Sequence, residues 1–298
     1  MTKLNRQSKD TVQGWGFLSP ALAIIAVFVI GSILFAVYLS FNRVNLFQRT
    51  YEFVGFQNYA RMIEDTRTLI AFRNTFRYVL IVVPFQTFIA LLLGFILSGK
   101  IKGKVFFRTI YFLPTLTSSA ALTMIFMFLF SLNGPVNSIL SSLNIISSNV
   151  NFLNDPRFVL NVIIVMNIWS TVPFFMTIYI AALSNLPADL YEAAEVDGAN
   201  VIQKFRYITV PYLKPVTTFV VLTGIIGTFQ IFDQAFIISN GSGGPENATL
   251  TVTLLIWRYA FGQNNLMGLA SSIAIMLALV IFIFSYIANR MNKYEALY

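Results

Sequence analysis

Asn185-Leu-Pro-Ala-Asp-Leu-Tyr-Glu-Ala-Ala-Glu-Val-Asp-Gly-Ala-Asn-Val-Ile-Gln-Lys-Phe-Arg-Tyr-Ile-Thr-Val-Pro211 is a dense run of charge in a chain that is otherwise mostly apolar. Pro187 suits a first helical position, where its missing N–H costs nothing. Asp189, Glu192 and Glu195 favour the positive end of that helix. Gly198 supplies a left-handed stop. Residues 199–209 have room for one or two further turns before Pro211 ends or kinks the run. Two short helices set at an angle between apolar runs make a compact protruding knob. On charge and punctuation alone, this reads equally as a solvated helical loop or as a docking element.

The composition on either side says what the knob protrudes from. Hydrophobic residues are 57% of the 298 and charged residues only 11%, against roughly 25% charged in an average soluble domain. A water-soluble fold of this length could not hide so much apolar surface, so the solvent for most of the chain is a bilayer. The net charge is +8, but the cations flank apolar runs, a topological pattern rather than a nucleic-acid footprint. Histidine and cysteine are both absent. That excludes disulfides, histidine acid–base catalysis, the Ser-His-Asp triad and the usual zinc sites.

Six apolar runs are each long enough to cross a bilayer, which takes roughly 20 residues. They lie at about 16–41, 78–99, 110–132, 158–183, 208–238 and 266–289, as a single transmembrane domain over 1–298, with the knob as a loop over 185–207. The expected fold is all-α and polytopic. Between the runs lie a polar segment, 42–77, a basic turn with Lys100, Lys102, Lys104 and Arg108, and a loop over 133–157. The loop 239–265 carries Asn240-Gly241-Ser242-Gly243-Gly244-Pro245. Six spans put both termini on one side. Twelve of the twenty Lys and Arg fall on that side and the knob's, in the shorter total length of chain, so the termini and the knob are expected in the cytoplasm. Segment 42–77 points the other way, with six Arg and three acids.

The chain has no phosphate-binding Gly-x-x-x-x-Gly-Lys-Ser/Thr loop; Gly99-Lys-Ile-Lys-Gly-Lys-Val has the wrong spacing and ending. Asp233 is the only acid inside an expected span, so paired-carboxylate chemistry is excluded and an enzyme is not expected. Polar residues within spans are costly and face a bundle interior or a cavity. Asn161, Asn167, Trp169, Ser170 and Thr171 cluster in the fourth span, and Thr223, Thr228, Gln230, Asp233 and Gln234 in the fifth. Asn167 and Thr171 share a helix face, as do Thr223, Gln230 and Gln234. Pro173, Gly224 and Gly227 loosen backbone bonding nearby, as in broken transporter helices. Such stripes either join helices by hydrogen bonds or line a polar path. With no Lys or Arg deep in a span, amides, hydroxyls and aromatics suit a neutral polyhydroxyl solute better than a phosphate or carboxylate.

Glu192-Ala193-Ala194-x-x-x-Gly198, followed by Ile208-x-Val210-Pro211, resembles the EAA loop of ABC importer permeases, with Val210 where Leu is usual. Asp197-Gly198-Ala199 resembles the carbohydrate-type, MalF/UgpA-like group. So do Phe53-Val54-Gly55-Phe56-Gln57-Asn58-Tyr59, Asn167-Ile168-Trp169, and Phe232-Asp233 with Gly243-Gly244-Pro245. The resemblance implies a type I importer permease fold in a bacterial cytoplasmic membrane. It also implies a second homologous permease subunit, two ATPase subunits that hold the ATP and Mg, and an extracytoplasmic solute-binding protein. No cofactor is implied on this chain and no nucleic acid as partner. Glu192, Ala193, Ala194, Asp197 and Gly198 would form the contact that couples to the ATPase. Asn167, Thr171, Phe174, Thr228, Gln230 and Asp233 would face the solute, with the partner permease as the other place for that site. A carbohydrate, an oligosaccharide above all, is the expected cargo. A glycerol phosphodiester or polyol, or an ion-coupled secondary transporter, are the alternatives.

Overall fold

The computed structural model describes residues 6–45, 50–99, 102–262 and 266–295; Lys3, Arg49 and Lys100, counted among the cations above, lie outside them. The first span, α1 (Gln13–Ser40), exposes Trp15, Phe17, Phe28 and Leu34, as lipid-facing residues do. A hairpin follows, β1 (Asn42–Asn45) against β2 (Thr50–Phe53), antiparallel with Arg43 opposite Glu52. Next come α2 (Gln57–Glu64) and α3 (Thr66–Ser98). The described residues of segment 42–77 are therefore structured and include the first three turns of α3. That helix begins at Thr66 because the Asp65 side chain accepts from the N–H groups of Arg67 and Thr68. At 33 residues and about 1.5 Å of rise each, α3 is longer than a bilayer is thick.

The run 110–132 is not one straight helix. Helix α4 (Lys104–Phe112), extended by a 3₁₀ turn over Leu113–Leu116, meets α5 (Ser119–Leu129) at 101°. The cause lies in Pro114-Thr-Leu-Thr-Ser-Ser. Pro114 withholds an N–H, Thr115 Oγ1 donates to the Phe112 carbonyl, and the Ser118 side chain caps a new helix by accepting from Ala121 N–H. Among the described residues, five helices are long and apolar enough to span, six if the bent pair counts as one. Helix α6 (Pro135–Ser142) lies in the expected loop 133–157. The buried Asn137 closes that loop by donating to the Ser131 and Val150 carbonyls.

Helix α7 (Val159–Leu183) precedes the knob helices α8 (Ala188–Val196) and α9 (Val201–Lys204). Helix α10 (Lys214–Phe229) begins later than the expected 208, because residues 205–212 still belong to the knob's π-helical and helical turns. The fifth span breaks at Gln230–Phe232 and resumes as α11 (Asp233–Ser239). Then follow α12 (Val252–Phe261) and α13 (Met267–Glu295).

Backbone contacts gather Met1–Glu64 with Tyr259–Ile275 into one unit and Asp65–Arg258 with Met276–Tyr298 into another. In the second unit, α3, α7 and α10 share a core of Ala90, Leu97, Val172, Met176, Tyr179 and Val220, with Leu213 just before α10. Between helices already in lipid, burial gains little from leaving water; close packing and interhelical hydrogen bonds hold the contact. The Tyr179 hydroxyl donates to Thr217 Oγ1 at 3.1 Å, tying α7 to α10.

Candidate coupling surface and solute pathway

The knob has the helix–stop–helix form that its punctuation predicts. Pro187 is the residue before the helix, with ψ 130, rather than its first member. Asp197 ends α8. Gly198 then takes φ +77, with open space where a Cβ would sit; that backbone conformation strains any side-chain-bearing residue. Ala199 N–H returns to the Ala194 carbonyl at 2.8 Å. Asn200 starts α9 through a capping box: its side chain accepts from Gln203 N–H at 2.9 Å, and its own N–H reaches Gln203 Oε1 at 2.7 Å. Lys204 Nζ lies 3.4 Å from Glu195 Oε1, and the Tyr191 and Thr209 hydroxyls are 2.6 Å apart, so the two arms are joined.

The base of the knob is fastened to the spans. Leu186 and Leu213 are buried in the core with Leu97 and Leu183. The Phe205 ring lies 4.8 Å from that of Phe95 on α3. Arg108 donates to the Leu97 carbonyl at 2.7 Å, which holds α4 at the same end of α3. The tip is the opposite: Glu192, Ala193, Asp197 and Gly198 are exposed and Ala194 half-buried. Val196 is 89%, Ile202 76% and Val201 66% exposed. Three aliphatic side chains held open on a rigid polar knob form a surface made for covering. Sequence reasoning did not single them out. Their signal was apolar residues flanking a glycine stop.

Within the spans, Thr171 Oγ1 donates to Gln86 Oε1 on α3 and lies within bonding distance of the Asn167 carbonyl, both at 2.8 Å. Gln86 is 1% exposed, and among the described residues its Nε2 has no partner; nor does the buried Oδ1 of Asn167. A Cβ on Gly224 would fall 2.4 Å from Gln86 Nε2, so α10 meets the amide only because residue 224 is glycine. Gln86, Asn167, Thr171 and Gly224 thus form a polar junction of α3, α7 and α10. Phe174 is exposed one turn along α7 from Thr171. Asn161 lies elsewhere, accepting from Arg77 at 3.0 Å near the helix end.

Thr228 is buried, and its hydroxyl bonds back to the Gly224 carbonyl at 2.7 Å, so it presents no free hydroxyl to a path. Gln230 is exposed at the break after α10, and Asp233 is exposed in the first turn of α11. The break also separates Thr223 and Gln230 from Gln234, which instead donates to Ser119 Oγ on α5 at 3.0 Å. A cavity of about 570 Å³ lined by Ile89, Tyr111, Pro114, Trp169 and other apolar residues lies between α3, α4 and α7. It lacks the convergent polar groups that fix a polyhydroxyl solute.

Residues 86–294 match the family described as binding-protein-dependent transport system inner membrane component. The lactose transport system permease protein LacF of Rhizobium radiobacter is 34% identical over 277 residues, 93% of this chain and 92% of that one. The arabinooligosaccharides transport system permease protein AraP of Halalkalibacterium halodurans is 36% identical over 253 residues, 84% of this chain and 78% of that one. Among solved structures, a chain of the bacterial alginate ABC transporter, crystallised with a periplasmic protein bound to alginate pentasaccharide, superposes with a TM-score of 0.84. That match has 21% identity and covers 98% of both chains, so the fold is shared.

Proposed function

This chain belongs to the family of binding-protein-dependent transport system inner membrane components, and from that premise we propose that it forms half of the translocation pathway of an ATP-driven importer for a neutral oligosaccharide. It is a multi-pass membrane transport component. The second half of the path is a homologous permease subunit. ATP and Mg are held by two separate ATPase subunits in the cytoplasm, where both termini of this chain also lie. An extracytoplasmic solute-binding protein delivers the cargo. The lactose and arabinooligosaccharide relatives support the substrate class, as does the neutral amide–hydroxyl junction at Gln86, Asn167 and Thr171.

The observation that carries this reading is the knob: open and apolar at its tip, fixed at its base to α3, α7 and α10. An element joined so firmly to three helices moves with them as a body. A partner that grips Val196, Val201 and Ile202 and closes on ATP therefore tilts the helices around the polar junction. Glu192 adds a charged contact at the rim, Ala193 and Ala194 allow close approach, and Gly198 fixes the angle. Asn167, Thr171, Phe174, Gln230 and Asp233 offer the solute contacts; Thr228 acts through the α10 backbone.

The test is co-purification and uptake by Glu192→Lys and by Ile202→Asp. Both variants are expected to insert but to lose the ATPase and transport together. Full uptake with the ATPase still attached in both would contradict the proposal.

A further inference from the structure

The described part of segment 42–64 contains a small polar pocket that the coupling role leaves unused. Its volume is about 240 Å³, and its lining includes Arg43, Gln57, Asn58, Arg61 and Gly268. Three of these positions fall in or beside the stretch Phe53–Tyr59 singled out above. The walls are fixed from several directions. Asn58 Nδ2 donates to the Ser40 and Asn42 carbonyls at 2.9 and 3.0 Å. Gly268 sits so close that a Cβ there would lie 2.1 Å from the Asn42 carbonyl oxygen. Phe41, Phe56 and Tyr59 pack ring on ring with centroids 5.3 to 5.8 Å apart. Arg43 is steadied by Glu52 at 3.2 Å across the hairpin and by Gln57 at 3.5 Å.

Arg61 is different. Met62, the next residue, is 3% exposed and anchors α2, while Arg61 is exposed and makes no hydrogen bond or ion pair among the described residues. A guanidinium held on a packed helix, beside a second one already oriented, is a fork with an open place for a carboxylate.

The charge pattern of the sequence adds an independent reason. Segment 42–77 has six arginines and no lysine, whereas the turn 100–108 has three lysines and one arginine. On the topology proposed above, the first segment is extracytoplasmic, where positive charge runs against the orientation rule. Of those arginines, Arg43 and Arg61 line the pocket, and a guanidinium, unlike an ammonium, offers a planar pair of donors to a carboxylate.

We propose that the Arg43–Arg61 pocket is a docking socket for an acidic side chain, Asp or Glu, on the face of the solute-binding protein. This rests on the reading of the chain as a binding-protein-dependent permease. The pocket takes a single carboxylate side chain, not an oligosaccharide, and Arg61 brings a charge that Glu52, already paired with Arg43, leaves unmatched.

The test uses the whole transporter, with its partner permease and ATPase, in zwitterionic nanodiscs. The binding protein that supports uptake is titrated, and its half-saturating concentration for stimulating ATP hydrolysis is measured. Arg61→Glu is expected to raise that concentration about tenfold or more, since rim charges act through association. Arg61→Lys should fall between, and added salt should bring wild type toward the variant. Reversing one acidic residue on the binding protein to Lys should restore the Arg61→Glu transporter. Because the natural chain has no cysteine, a photo-crosslinker on Arg61→Cys gives a second reading, with an adduct to the binding protein expected. Equal half-saturation in wild type and Arg61→Glu overturns the socket. So does an effect seen only with anionic lipid, or an adduct to lipid alone, either of which makes the pocket a lipid phosphate site. A wild-type transporter indifferent to any binding protein overturns the permease reading as well, which separates the two failures.

Discussion

Gln86 is a buried amide with one end paired and one end not. Its Oε1 accepts from Thr171, while its Nε2 faces Gly224 with no acceptor. A buried donor left without a partner costs about 1–3 kcal/mol, which favours a shift of the helices or an arriving hydroxyl that pairs it. Gln86→Leu is therefore expected to change thermal stability little, within about 1 kcal/mol, while lowering apparent solute affinity; melting curves and uptake kinetics together separate the two effects. Gly224→Val forces side-chain carbon into the amide and is expected to cost about 1–3 kcal/mol as overpacking, read as a lower melting temperature in detergent. None of this junction was legible as a pair. Gln86 and Thr171 are 85 positions apart, and one sequence carries no signal of which polar residue on one span meets which on another. Outside the membrane, the Arg157 guanidinium beside Asp155 holds that carboxyl below its ordinary range, first through their hydrogen bond. A carboxyl lowered in the fold gives stability that is whole above its unfolded value and is lost as pH falls through the folded one. Asp155→Asn should therefore differ from wild type near neutrality by a small, constant amount that vanishes in acid; melting across pH checks it.

At the scale of elements, local chemistry was readable where it is local. The knob's stop at Gly198 and its arrest before the next span follow from residues that act on their neighbours. So did the break in the third run, in principle: Pro114 with Thr117 and Ser118 spells a proline turn and a fresh cap, but hydrophobicity alone reads 110–132 as continuous. The start of α3 was hidden for the opposite reason. Arg67, Arg73 and Arg77 make its first turns look like loop, although Asp65 caps them and the helix there extends past the apolar run. Hairpin 42–53 carries no strong alternation, and its pairing rests on register rather than on composition. Asn200→Ala removes the capping box of α9 and should cost the tip about 1 kcal/mol. Amide exchange is expected to quicken over residues 200–204 and not over α3 or α7. Uptake should fall through weaker ATPase attachment, with insertion unchanged.

At the scale of the whole molecule, the chain is one part of a machine. It carries no phosphate loop, and its exposed apolar surface includes the long flank of α1 and, apart from the spans, the tip of the knob at Val196, Val201 and Ile202. Reconstituted alone, it is expected neither to hydrolyse ATP nor to accumulate sugar; both should appear when the second permease, the ATPase and the binding protein are added. Which side of the membrane that tip occupies decides whether a cytoplasmic ATPase can grip it. With no native cysteine, Ile202→Cys in intact cells and in inverted vesicles can be treated with a membrane-impermeant thiol reagent. Labelling only in inverted vesicles, and its loss when the ATPase is bound, is the predicted result. Labelling of intact cells from the outside would contradict it.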